Sequence, residues 1–196
     1  LLSKEYERSP KGTMAHQFPM FYSPADDAYK NATLGERAKY IRQSQYQAIL
    51  DWTYTWKNNE TFWLTDTFGS EWFLNNITNN NIMLRQDSGD PFTIGNMMLD
   101  WYKQQNRVFE ERKIMFSDSL NMSLILKLQD YFKNKCNTYY GWGTNLTNDG
   151  IINPLSVVIK LFEVDGQPTV KLSDDAEKSM GIYAYSYRKI FDRKIQ

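Results

Sequence analysis

Ile82-Met83-Leu84-Arg85-Gln86-Asp87-Ser88-Gly89-Asp90-Pro91 sets three apolar residues directly before an arginine, two carboxylates and a turn sequence. The same pattern of short apolar run and polar ending recurs along the chain. Phe62-Trp63-Leu64 ends in Thr65-Asp66, Ile114-Met115-Phe116 in Ser117-Asp118, and Thr138-Tyr139-Tyr140 in Gly141-Trp142-Gly143-Thr144. Between these runs, residues 94–105 and 120–133 carry apolar residues at helical spacing, for example Leu124, Leu128, Tyr131 and Phe132. Short strands alternating with helices predict parallel β/α units, hence an α/β fold. Parallel neighbours bring their C-terminal ends to one rim, where such folds hold ligands. Asp66, Asp87, Asp118 and the glycine loop at Gly143 are therefore expected to converge.

Outward from this block, residues 33–57 read as a long helix, with Thr33 as N-cap and Glu36 completing a capping box. Residues 155–163 and 169–172 read as a hairpin about Asp165-Gly166. The asparagine-rich residues 75–81 read as a loop, and the polar tail from 174 as mixed, with a short helix near its end. The 196 residues suffice for one domain with a real core.

Composition narrows the function classes. Lys plus Arg and Asp plus Glu number 23 each, so no broad positive field favours nucleic acid, and an anion must be held by a local site. The longest apolar run is interrupted by Lys160 and is too short to span a bilayer. The single cysteine, Cys136, cannot pair internally and points to a reducing compartment. Sequons at Asn31, Asn59, Asn76, Asn121 and Asn145 are expected by chance in an asparagine-rich chain, and no signal peptide opens it. The expectation is a cytoplasmic protein. Leu1 is not an initiator methionine, so the chain reads as a piece of something longer.

Each candidate has an ordinary reading beside the functional one. His16, the only histidine, follows the small-residue approach Gly12-Thr13-Met14-Ala15. It reads as a core histidine unless a carboxylate such as Asp66 accepts a proton from one ring nitrogen and leaves the other as a nucleophile. Arg85, Asp87 and Asp90 bracket a good turn sequence, yet such groups at a buried strand end call for a polar ligand. Ser117 or Asp118 alone would serve as a helix cap. Gly141-Trp142-Gly143-Thr144 is either a turn or an amide-lined anion cradle. Together they form the inventory for a phosphorylated sugar.

In order, the motifs Gly12-Thr13-Met14-Ala15-His16, Thr65-Asp66-Thr67-Phe68, Arg85 to Pro91, Phe116-Ser117-Asp118-Ser119-Leu120-Asn121, the Gly141 to Asp149 loop, and Pro154 to Leu161 with Gly166 to Asp174 resemble those of nicotinate phosphoribosyltransferases. The resemblance implies part of an irregular β/α barrel of the type II phosphoribosyltransferase kind, with a C-terminal β-hairpin. Residues 1–196 would be the C-terminal portion of that barrel domain, without the N-terminal domain and early barrel strands. It implies nicotinate and phosphoribosyl pyrophosphate (PRPP) as substrates, ATP as co-substrate, Mg²⁺ as cofactor and a homodimer in the full-length protein. It assigns phosphorylation to His16, its orientation to Asp66, the nicotinate–ribose region to Arg85 and Asp87, ribose hydroxyls to Asp118, and the 5′-phosphate to Gly143 and Thr144. Where the family usually has Glu after the histidine, this chain has Gln17. Nicotinamide in place of nicotinate, or a truncated chain serving only as a folding or interaction unit, are the alternatives.

Overall fold

The computed structural model describes residues 2–7, 12–24, 27–56, 61–78, 82–143, 146 and 157–192. In chain order the elements are α1 (Leu2–Glu5), β1 (Gly12–Thr13), α2 (Gln17–Tyr22), α3 (Asp27–Asn31), α4 (Leu34–Thr55), β2 (Thr61–Leu64), α5 (Ser70–Asn76), β3 (Met83–Gln86), α6 (Pro91–Gln104), β4 (Lys113–Phe116), α7 (Met122–Phe132), β5 (Asn137–Tyr140), β6 (Glu163–Val164), β7 (Gln167–Pro168) and α8 (Ala184–Asp192). Strands β1 to β5 form one sheet in sequence order, every neighbouring pair parallel. It is a curled half-barrel sheet, with β6 and β7 as a separate antiparallel hairpin. The α/β fold class stands.

Local chemistry sets the helix starts. The Thr33 hydroxyl accepts the Glu36 amide while Glu36 accepts the Thr33 amide at 2.8 Å, a complete capping box opening α4. Asp90 caps α6 by accepting the Thr93 amide at 2.8 Å, with Pro91 at the first helical position, where its missing N–H costs nothing. Asn121 caps α7 by accepting the Leu124 amide at 2.9 Å. Because Asp90 and Asn121 take the capping duty, Asp87, Ser117 and Asp118 are released from it.

Side-chain alternation gives the sheet two apolar faces. Trp63, Leu84, Ile114 and Phe116 pack against Met98, Leu99, Leu128 and Phe132 of α6 and α7, while Phe62, Met83 and Met115 gather on the opposite face. Each such side chain removed from water contributes about 1.5–3 kcal/mol. Gly95 marks how close α6 lies, since a Cβ there would sit 2.6 Å from the Phe132 ring. A second core joins Tyr29, Ala38, Ile41 and Phe68 to Val170, Leu172, Ala184 and Tyr187. It docks α8 on α4 and fixes the backbone of residues 170–174 beside the sheet.

Besides the short helices α1, α2 and α3, which the sequence reading does not place, three features depart from it. Gly12–Thr13 forms a strand, pairing Gly12 with Thr61 and Thr13 with Phe62, so His16 also follows a strand end. Residues 70–76 are helical, so Asn75 and Asn76 close α5 rather than open a loop. The hairpin turns at Asp165 and Gly166, both at positive φ, but its ladder covers only Glu163–Val164 and Gln167–Pro168. Residues 157–162 have no ladder partner there, and 169–172 contribute one bridge, Lys171 with Met180. Residues 151–156 lie outside the described residues. Among those described, no helix is long and apolar enough to cross a membrane.

Candidate active site

The strand register places the polar endings side by side: Leu64 pairs with Arg85, Gln86 with Phe116, and Phe116 with Tyr140. Ladder bonds continue past the strands, from the Ser117 amide to Gln86 and from the Gly141 amide to Phe116. Thr65-Asp66, Asp87-Ser88, Ser117-Asp118 and Gly141-Trp142-Gly143 therefore leave the sheet at one rim.

Asp87 is the hub. Its Oδ1 accepts from Arg85 at 2.8 Å and from the Ser117 hydroxyl at 2.7 Å, and its Oδ2 lies 3.1 Å from His16 Nε2. Arg85 also donates through Nε to Ser117 at 2.7 Å and through Nη1 to Thr13 at 2.6 Å. Bonds on three sides lock the guanidinium plane and leave further N–H groups of the fork for a ligand. Burial pushes the Asp87 carboxyl up, but the bonds from His16, Arg85 and Ser117 outweigh it and hold the group far below the usual carboxylate range.

His16 is 2% exposed, immediately before α2. Asp87 accepts at Nε2, so that nitrogen carries the proton, and the Thr67 hydroxyl at 3.0 Å donates to Nδ1. The expected partner, Asp66, stands one step back, its Oδ1 3.8 Å from Nε2. The correction has a physical cause. The Asp66 Oδ2 side is engaged by Ser88 at 2.6 Å and Ser173 at 3.2 Å, with Lys171 Nζ at 3.9 Å, which turns the carboxylate away from the ring. Asp66 Oδ1 remains buried without a hydrogen bond among the described residues. Burial holds the imidazole below its ordinary value; Asp87 and Asp66 oppose this, and the charges of Lys171 and Lys160 add to it.

These shifts give a stability profile. A folded state that favours neutral His16 keeps its full contribution above the ordinary value of 6.5 and loses it as pH falls below that. Depressed Asp87 adds a loss only below its ordinary 3.8. Chemical denaturation of the full-length protein should therefore show stability declining on acidification below pH 6.5, by at most about 1.4 kcal/mol per pH unit from this residue. In His16→Asn that upper part of the decline should vanish; an unchanged slope would remove His16 as its source.

Of the expected site residues, His16, Asp66, Arg85 and Asp87 come together in one bonded cluster. Asp118 stands at the neighbouring strand end but pairs with Lys178 at 2.5 Å. Gly143 lies exposed past β5, with open space where a side chain would project; Thr144 lies outside the described residues. Upstream, Gly141 packs so closely that a Cβ would meet Ser117 Cβ at 2.9 Å. Thr13, Thr67, Ser88, Ser173, Lys171 and Lys178 join the site without having been singled out. Lys171 offered a signal, a charged residue within the strand-like run 169–172, and the structure leaves it only 4% exposed.

Known proteins share both sequence and fold. The chain is 36% identical over 180 residues to a nicotinate phosphoribosyltransferase of Ralstonia nicotianae, covering 90% of this chain and 43% of that protein. A Burkholderia ambifaria protein of the same name is 38% identical over 181 residues, covering 90% and 42%. The crystal structure of a Vibrio cholerae nicotinate phosphoribosyltransferase matches with a TM-score of 0.80 at 31% identity, covering 97% of this chain and 46% of that one. One from Porphyromonas gingivalis gives 0.76 at 26%, covering 98% and 49%. The chain thus spans less than half the length of the relatives it matches. Residues 2–194 fit the family model throughout, and with the conjunction of parallel rim, locked arginine and buried histidine this places the chain in the nicotinate phosphoribosyltransferase (NAPRTase) family.

Proposed function

We propose that the full-length protein containing this chain joins nicotinate to PRPP, releasing pyrophosphate, in NAD salvage by the Preiss-Handler pathway. This chain would be the C-terminal part of the barrel domain in a cytoplasmic homodimer. The supporting observation is Arg85, fixed by Thr13, Ser117 and Asp87 at the rim between a buried histidine and the open Gly143 loop.

In the transfer, the base nitrogen bonds to the ribose anomeric carbon as the bond to pyrophosphate oxygen breaks. Positive charge develops on the ribose, and the nearby Asp87 and Asp118 carboxylates stabilise it electrostatically. Arg85 offers a flat face to the base or its fork to the nicotinate carboxylate. Asp118 would turn from Lys178 to ribose hydroxyls, and Gly143 and Thr144 would receive the 5′-phosphate.

His16 would take the γ-phosphoryl group of ATP on the ring nitrogen opposite Asp87, with ADP departing and the Thr67 hydroxyl turning aside. Asp87 accepts the Nε2 proton, which keeps the lone pair on Nδ1. The phosphoryl group adds roughly two negative charges, next to Lys171 and Lys160, whose charges already reach the ring. Asp66 serves as the second carboxylate behind it. Mg²⁺ fits as an ion carried on substrate phosphates. Among the described residues no three acidic, His or Cys side chains form a metal site of their own, and two buried carboxylate oxygens, Asp66 Oδ1 and Asp174 Oδ2, have no hydrogen bond there. When bound it would neutralise the pyrophosphate leaving group.

The test is synthesis of nicotinate mononucleotide by the full-length protein from nicotinate and PRPP, with and without ATP, and with nicotinamide in parallel. Product from nicotinate, stimulated by ATP, is expected. Turnover of nicotinamide alone, or no PRPP binding by calorimetry, would overturn the reading.

A further inference from the structure

We propose that Gln17 is a positioning residue whose side-chain amide clasps the chain at Ile159 and so holds the neighbouring Lys160 on the side of His16. The proposal deepens, and rests on, the reading of this rim as a phosphate-handling site. Gln17 opens α2 directly after His16. Its Nε2 donates to the Ile159 carbonyl, 142 positions along the chain. This contact joins the histidine's own helix to the run that leads into the β6–β7 hairpin.

The run needs such a hold. Val157, Val158 and Ile159 are 67%, 63% and 77% exposed, so apolar packing does little to fix them. Beyond Lys160 the backbone is held from the other side, where the Thr169 hydroxyl donates to Leu161 at 2.5 Å and the Thr169 amide to Phe162 at 2.9 Å. Lys160 therefore lies between two anchors, half-buried like Leu161, while residues 157–159 and 162 face solvent. Its charge reaches Asp87, Asp66, Arg85 and Lys171, and it acts in turn on His16. A lysine in this place meets anionic charge arriving at the histidine. A long side chain on an unanchored backbone would be dispersed by its own rotamer freedom.

The chemistry of the clasp is specific to an amide. The Ile159 carbonyl can only accept, so the side chain at 17 must donate. A carboxylate would set acceptor against acceptor. Its second oxygen would fall where Gln17 Oε1 now sits, buried and without a hydrogen bond among the described residues. In Gln17→Glu the clasp can form only through the protonated acid, so burial raises that carboxyl's pKa. The clasp is present below the raised value and lost above it.

Two measurements on the full-length protein decide the matter. The first is the rate of tryptic cleavage after Lys160, taken as the ratio of variant to wild type at the same pH. Gln17→Leu should raise the ratio about three- to tenfold at pH 8.5 and pH 6 alike, the worth of one hydrogen bond. Gln17→Glu should raise it at pH 8.5 and return toward one at pH 6, which a merely misfolded variant would not do. Ratios near one for both variants overturn the clasp, as does a Gln17→Glu ratio that ignores pH. The second is PRPP affinity with Mg²⁺ by calorimetry. Gln17→Leu and Lys160→Met should each weaken it, and the double variant should be no weaker than Lys160→Met alone. Additive losses would show that Gln17 does not act through Lys160. If the wild type binds no PRPP, the functional reading fails while the cleavage ratios still judge the clasp.

Discussion

His16→Ala in the full-length enzyme is expected to abolish ATP stimulation of nicotinate mononucleotide synthesis while leaving a folded protein with slow, ATP-independent transfer. The imidazole has no substitute, since among the described residues it is the only ring nitrogen held between Asp87 and Thr67. Its loss leaves Asp87 with Arg85 and Ser117 as partners, so the carboxylate stays satisfied and the strand ends keep their arrangement. The loss should be visible as disappearance of acid-labile label from γ-labelled ATP, together with flat product formation as ATP is added. Undiminished ATP stimulation in this variant would exclude His16 as the phosphoryl acceptor. The same variant should retain a cooperative unfolding transition, which separates loss of the imidazole from loss of the fold.

Asp87→Asn should be the most damaging isosteric change at the rim, lowering kcat/KM by about 10²–10³ and stability by about 1.5–3 kcal/mol. Arg85 and Asp87 are only 20% and 22% exposed, so removing the carboxylate leaves a guanidinium with its charge largely desolvated and unmatched. The amide also puts a donor where either Arg85 or His16 now requires an acceptor. Asp118→Asn supplies the contrast. Its partner Lys178 is 35% exposed, so solvent screens the pair, and stability should change by less than about 1 kcal/mol. Paired denaturation curves and steady-state kinetics measure both. Equal stability losses for the two aspartates would remove Asp87 from the centre of the cluster.

The caps explain why Ser117 and Asp118 do not open α7. Ser117 and Asp118 are sound cap residues by type, but Asn121 lies where α7 begins and takes the Leu124 amide. Asp90 likewise takes the α6 terminus, three positions beyond Asp87. A capping preference names residue types; the position of the first helical turn selects among them. The short helices α1, α2, α3 and α5 are not legible in the sequence because each spans at most seven residues, too few for an amphipathic repeat to show.

From sequence alone came the parallel β/α order, the capping box at Thr33, the turn at Asp165-Gly166 and the residues brought to one rim. These follow from side-chain period and local turn chemistry, which act over a few residues and are written in the sequence directly. Only the tertiary structure chose Asp87 over Asp66 as the hydrogen-bonding partner of His16. That choice depends on Ser173 and Lys171, carried to Asp66 from more than a hundred positions away by the docking of α8 and residues 170–174 on α4. Two aspartates at adjacent strand ends are chemically equal as read in sequence, and what separates them is which neighbours the folded chain delivers to each carboxylate.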